Sequence, residues 1–181
     1  MKKITIKVAM IALGILLLTG CDDVMNTPTK RVEEFLGKYQ TMDSEVIRDL
    51  EAVLDDNPYL NDESKKEYEK ALKRQYQNLS YKVKDEEFNG SNAIVEVEIE
   101  VYNYKKVNDD GDSYVLEHQS EFLNDDGTLN EEKVTAYKID QMNKTSEKVK
   151  YTIPFSCTKE GSTWKLDTIT ETTRQKIHGL Y

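Results

Sequence analysis

Val95-Glu96-Val97-Glu98-Ile99-Glu100-Val101 is the stretch from which the fold is read. Four apolar residues alternate with three glutamates, and successive side chains of a strand point to opposite faces. One face is therefore dry and the other charged, as in an antiparallel sheet packed on one side only. Upstream, Leu79, Tyr81 and Val83 alternate with Ser80, Lys82 and Lys84, and Asn89-Gly90 lies between the two runs. That is a β-hairpin. A two-residue Asn89-Gly90 loop would set Lys84 opposite Val95 and mix the faces, which a buried sheet does not tolerate. A three-residue loop, Phe88-Asn89-Gly90 with Gly90 left-handed, keeps them apart. It pairs Val83 with Val95, Tyr81 with Val97 and Lys82 with Glu96.

A second hairpin follows near the C-terminus. Val149, Tyr151, Ile153, Phe155 and Cys157 share an apolar face against Lys148, Lys150, Thr152 and Ser156, and Trp164 and Leu166 continue it. A two-residue Glu160-Gly161 loop pairs Cys157 with Trp164 and Phe155 with Leu166. Pro154 lacks the N–H a ladder needs, so it marks an edge or a bulge.

The dry face needs a cover, and the N-terminal third supplies amphipathic helices. Thr27-Pro28 opens one, with a capping hydroxyl and proline at the first helical position. Its face is Val32, Phe35, Leu36, Tyr39 and Met42; after a break at Asp43-Ser44 it resumes with Val46, Ile47, Leu50, Val53 and Leu54, up to Asp55-Asp56-Asn57-Pro58. A second helix begins at Asn61 or Asp62 and carries Tyr68, Leu72 and Tyr76, with Leu79 continuing the spacing. Between the hairpins the pattern predicts a turn at Asn108–Gly111, a helix over Tyr114–Leu123, a turn at Asn124–Gly127 and a helix over Asn130–Met142. The tail from Glu171 to Tyr181 is left open. The fold class is α+β, with helices on a four-stranded antiparallel sheet and a helical insertion between its hairpins.

Residues 1–20 have a different character. Lys2 and Lys3 precede an apolar run from Ile4 to Leu18 interrupted only by Lys7, the outline of a secretory signal peptide and too short for a membrane span. The run ends in Leu17-Leu18-Thr19-Gly20-Cys21, and the chain turns polar at Asp22 and Asp23. That ending resembles the lipobox of bacterial lipoproteins. The resemblance implies cleavage before Cys21, diacylglycerol on its thiol and an acyl chain such as palmitate on the new amino group. Several chains are needed because one binds membranes only marginally. Localisation is then the extracytoplasmic face of the cell membrane, with residues 21–28 as lipidated terminus and tether and residues 29–181 as the domain.

Residues 1–20 hold three lysines and no acid, so the charge of −9 becomes −12 without them. Such a body repels anionic headgroups and nucleic acid alike, so lipid rather than surface charge must hold it, and nucleic acid is excluded as a partner. With Cys21 lipidated, Cys157 has no disulfide partner and reads as a small buried hydrophobe. His118 and His178 lack metal-ligand spacing. Taking Gly127 as the sixth residue of a calcium loop puts Phe122 first and Lys133 twelfth, where carboxylates are required, and Asp109-Asp110-Gly111 fails in the same way. No metal or cofactor is expected. The Glu96, Glu98, Glu100 row reads as a solvated face balanced by Lys82, Lys84, Lys148 and Lys150. Tyr102 and Tyr104, near the end of that face, are the candidate partner surface.

The order of helices, hairpin, helical insertion and second hairpin, with Trp164-Lys165-Leu166-Asp167 in the last strand, resembles the nuclear-transport-factor-two-like (cystatin-like) lipoproteins. The resemblance covers residues 28–170 and implies a bent sheet closing into a cone around a helix. Enzymes of that fold place a base and tyrosine donors inside the cone. Here the inward positions are Val95, Val97, Ile99, Tyr151, Ile153, Phe155, Trp164 and Leu166, and Tyr81 and Tyr151 are ordinary rim tyrosines. No catalytic set carries over. The expectation is a monomeric, lipid-anchored binding or interaction module for an unidentified envelope protein; the alternative is small-ligand binding or enzymatic activity inside the cone.

Overall fold

The computed structural model describes residues 26–181, so the signal segment, Cys21 and the tether through Met25 lie outside the described residues. Three helices come first: α1 (Pro28–Thr41), α2 (Ser44–Asp55) and α3 (Asp62–Gln77). The Thr27 hydroxyl accepts the Lys30 N–H, and Pro28 occupies the first turn, as the Thr-Pro pair implies. Met42 ends α1 in the left-handed region at φ 55°, and Asp43 at once caps α2. The expected faces are buried or half-buried with two exceptions. Ile47 and Val53 stay exposed, because α2 packs on α1 and α3 and uses a narrower stripe, Val46, Leu50 and Leu54.

The sheet follows the order β1 (Ser80–Asn89), β2 (Asn92–Tyr102), β3 (Lys148–Glu160), β4 (Thr163–Leu166), all antiparallel. Val95, Val97, Ile99 and Val101 are fully buried, in one core with Val32, Leu36, Leu72 and Tyr76. The glutamates face the other way. Lys84 and Lys150 flank Glu98 at 3.6 and 3.4 Å and hold its carboxyl below the usual range, and Lys148 stands 3.8 Å from Glu100.

Both registers differ from expectation by two residues. Val83 pairs with Val97, Tyr81 with Ile99 and Lys82 with Glu98, and a bulge at Lys84 rather than a longer loop reconciles the faces. In the second hairpin Cys157 pairs with Leu166 and Lys159 with Trp164. The two loops are the same dipeptide, Gly90-Ser91 and Gly161-Ser162, with the glycines at φ 63° and 62°. A glycine first with positive φ is what a type II′ turn requires. The bulge swaps the parity of β1, so that Glu86 turns to the helix side and accepts the Thr29 N–H at 2.9 Å. It thereby places a carboxylate at the positive end of α1. Pro154 sits where β3 is an edge, since β4 stops at Leu166 opposite Cys157.

Between the hairpins lie α4 (Tyr104–Glu117), a 3₁₀ turn (Gln119–Phe122) and α5 (Glu131–Lys144). The expected turn at Asn108–Gly111 is helix instead. Lys105 and Lys106 each pair one turn on with Asp109 and Asp110 at 2.5 Å, so the acids support the helix. Gly111 sits where α4 crosses α5: a Cβ there would meet Lys138 Cγ at 3.0 Å. The turn at Asn124–Gly127 does form, with Gly127 at φ 82°. The tail forms α6 (Glu171–His178), ended by left-handed Gly179.

Candidate interaction surfaces

At one end of the sheet Tyr102 and Tyr104 are held by the body of the protein. The buried Gln75 side chain treats Tyr102 as a neighbouring strand would: its Oε1 accepts the Tyr102 N–H at 2.8 Å and its Nε2 donates to the Tyr102 carbonyl at 3.1 Å. The Arg74 guanidinium lies 3.9 Å from the centre of the Tyr102 ring. It also donates to the carbonyls of Met142, Asn143 and Thr145, which end α5 and have no partners within the helix. Tyr104 is completely buried, and its hydroxyl donates to the Ala71 carbonyl at 2.8 Å. The expectation of an exposed Tyr102–Tyr104 docking pair is therefore corrected. Tyr104 is the seam between α4 and α3, and Tyr102 is roofed by a cation.

The titratable residues singled out from the sequence are scattered. His178 is half-buried, with Nε2 3.3 Å from the Tyr76 hydroxyl. Burial and then Arg174 lower its pKa to about 4, against opposing pulls from Glu171 and Asp49. His118 stacks on Tyr114 at 3.9 Å in the insertion. Cys157 is fully buried, and its thiol is pushed up to about 11 by burial, with Asp167 and Glu86 adding to the effect. That is the opposite of the depressed pKa a nucleophilic thiol needs. Asp126 accepts from the Thr128 hydroxyl and N–H, which lowers its pKa and closes the turn on itself. Among the described residues no three His, Cys, Asp or Glu side chains converge as a metal site would require.

Within the sheet the inward positions are filled. Val95, Val97 and Ile99 have no exposure, Ile153 and Phe155 almost none, and the recess that touches Phe155 and Leu166 has a volume of about 60 Å³. A larger groove, about 400 Å³, runs between α4 and α5 past Asp110, Tyr114, Tyr137 and Lys144. Tyr114 and Tyr137 stack there at 4.8 Å. The sequence held a trace of this in the Tyr114–His118 spacing of four, but α4 and α5 had to pack before Tyr137 could complete the stack.

The other end of the sheet is where the chain enters the fold. The Asn26 amide donates to the Ser162 carbonyl at 2.5 Å, and its oxygen accepts the Trp164 N–H at 3.0 Å. Phe88 packs edge-on against Trp164 with ring centres 5.7 Å apart, yet is 59 % exposed. Lys159 Nζ lies 5.6 Å from the Trp164 ring, whereas Ile94, exposed on β2, faces the other side of the sheet. Reading Phe88 as a loop residue missed this cluster; the bulge at Lys84 is what turns it toward Trp164. No protein-family model matches the chain, and neither a curated protein nor a solved structure matches it.

Proposed function

We propose that this chain is a bacterial lipoprotein, cut before Cys21 and held by acyl chains at that residue on the extracytoplasmic face of the cell membrane. The domain beyond it is a monomeric, non-catalytic binding or interaction module for an envelope protein, with a cystatin-like sheet bent into a cone. The observation that carries this reading is the Leu17-Leu18-Thr19-Gly20-Cys21 ending of a basic-then-apolar segment, five residues ahead of the folded Asn26. Support for a module rather than an enzyme comes from the filled inner sheet face. A ligand or enzyme site inside the cone would need an enclosed space with converging polar groups.

The anchor is tested by metabolic labelling with an alkyne fatty acid. The native chain takes up label and partitions into detergent, whereas Cys21→Ser remains an unlabelled precursor. Label on Cys21→Ser overturns the assignment. Cross-linking and pull-down of the lipidated protein from envelope extract recovers a specific partner; its repeated absence overturns the interaction role.

A further inference from the structure

The place at which the chain enters the fold dictates which end of the domain meets the bilayer, given anchoring at Cys21 as proposed above. Asn26 is tied to Ser162 and Trp164, beside the turn between β3 and β4. Cys21 precedes it by five residues. However folded, five residues span at most about 18 Å, whereas the eleven residues of β2 extend about 35 Å. The leash is about half the length of the sheet. The end with the Gly90-Ser91 and Gly161-Ser162 turns is thus held near the lipid, and the end continued by α4 and α5 is held away from it.

That near end carries what an interfacial contact needs. Phe88 is exposed at the edge of the β1–β2 turn and rests on Trp164, and Lys159 lies over the tryptophan ring. Aromatic rings settle at the headgroup level, and lysine stems extend along apolar surface while their charge stays wet. Asp85, Glu86 and Glu87 limit the depth. Glu86 is engaged at the start of α1, and the other two follow the bulge, farther from the turn than Phe88. We propose that the Phe88 side of the paired Gly-Ser turns is a membrane-contact edge, with Phe88 seated at the headgroup boundary of the bilayer that holds the Cys21 lipid. The domain then stands upright, presenting the α4–α5 end outward.

Trp164 is the single tryptophan of the chain and reports on this edge. The lipidated full-length mature protein is reconstituted into phosphatidylcholine–phosphatidylglycerol vesicles containing a dansyl-headgroup lipid. Flotation and energy transfer from Trp164 are measured together. A second form carries a flexible Gly/Ser insert of about 20 residues after Asp23, long enough to let the domain drift about 25 Å. Phe88→Ser is made in both, and thermal melting checks its fold.

Both forms with Phe88 float and transfer energy efficiently, and Phe88→Ser in the long-leash form floats but loses most of the transfer. Loss of transfer in the long-leash form with Phe88 intact overturns the contact and leaves the anchor standing. Failure of the native-leash protein to float overturns the anchor, and the contact with it.

Discussion

The sheet with its covering helices and the α4–α5 insertion bury apolar surface on different scales. In the first, Val32, Leu36, Val95, Val97 and Ile99 are completely shielded in one continuous core. In the second, Val115, Phe122 and Val134 make a small buried cluster of their own, packed against the half-buried Tyr114 and Tyr137. The insertion leans on the body through the packing of α5 on α3, with an apolar cluster of Ala71, Tyr104 and Met142, and through specific polar contacts, the Tyr104 hydroxyl on Ala71 and Arg74 on the last carbonyls of α5. A large core tolerates local error, because each side chain is a small share of the total. A seam of this kind is more exacting, since a buried donor or acceptor that loses its partner costs roughly 1–3 kcal/mol.

The largest expected effect is therefore at the seam. A Cβ on Gly179 would lie 2.0 Å from the Tyr102 carbonyl oxygen and 2.4 Å from Gln75 Nε2, at a backbone φ of 71°. Gly179→Ala is expected to cost about 4 kcal/mol, beyond ordinary overpacking because backbone and left-handed strain combine; a denaturation midpoint near the parent value would show that the seam gives way easily. Next come two truncations that separate the regions. Leu36→Ala should cost about 3 kcal/mol globally, and Phe122→Ala about 2 kcal/mol confined to the insertion, less than a deep-core phenylalanine. Hydrogen exchange checks this: Phe122→Ala opens amides of residues 104–144 while β2 and β3 stay protected, and uniform loss of protection would mean the regions unfold as one.

His178 gives the body a pH dependence. Its folded pKa of about 4 lies below the ordinary 6.5, so the unfolded chain takes up the proton first. The stability it permits is complete above pH 6.5 and is lost as pH falls toward 4, about 2 kcal/mol of it by roughly pH 5. Other groups add to the acid sensitivity, so the comparison is with His178→Gln, whose melting curve should fall less steeply over that window. Equal slopes would assign the acid sensitivity elsewhere. The smallest effect belongs to Gly111→Ala. Helix propensity favours alanine by roughly 0.5–1 kcal/mol, and displacement of the flexible Lys138 stem, 3.0 Å away, offsets it. The net change should stay within about 0.5 kcal/mol. A larger loss would show that the α4–α5 crossing is rigid.

The same contrast governs what could be read in advance. Every alternating run became a strand with the expected inward face, and Thr27-Pro28 became a helix start, because these signals are local and the core rewards them. Asn108-Asp109-Asp110-Gly111 has turn composition, yet it is helical, because ion pairs one turn apart and a close crossing with α5 outweigh propensity. Tyr104 followed a strand whose outer face is wet, and only the packing of α4 against α3 shows it to be buried.

Sequence by itself determined the strands, the N-terminal helix start, the dry and charged faces of the sheet, and the basic-then-apolar start that ends at Cys21, since each depends on neighbours along the chain. Tertiary structure alone decided the registers, through a bulge at Lys84 that frees Glu86 to meet α1, and brought Asn26, Phe88 and Trp164 to one edge. A one-residue bulge changes no local preference. It is chosen because a carboxylate at a helix start and a filled core are worth more than an unbroken ladder.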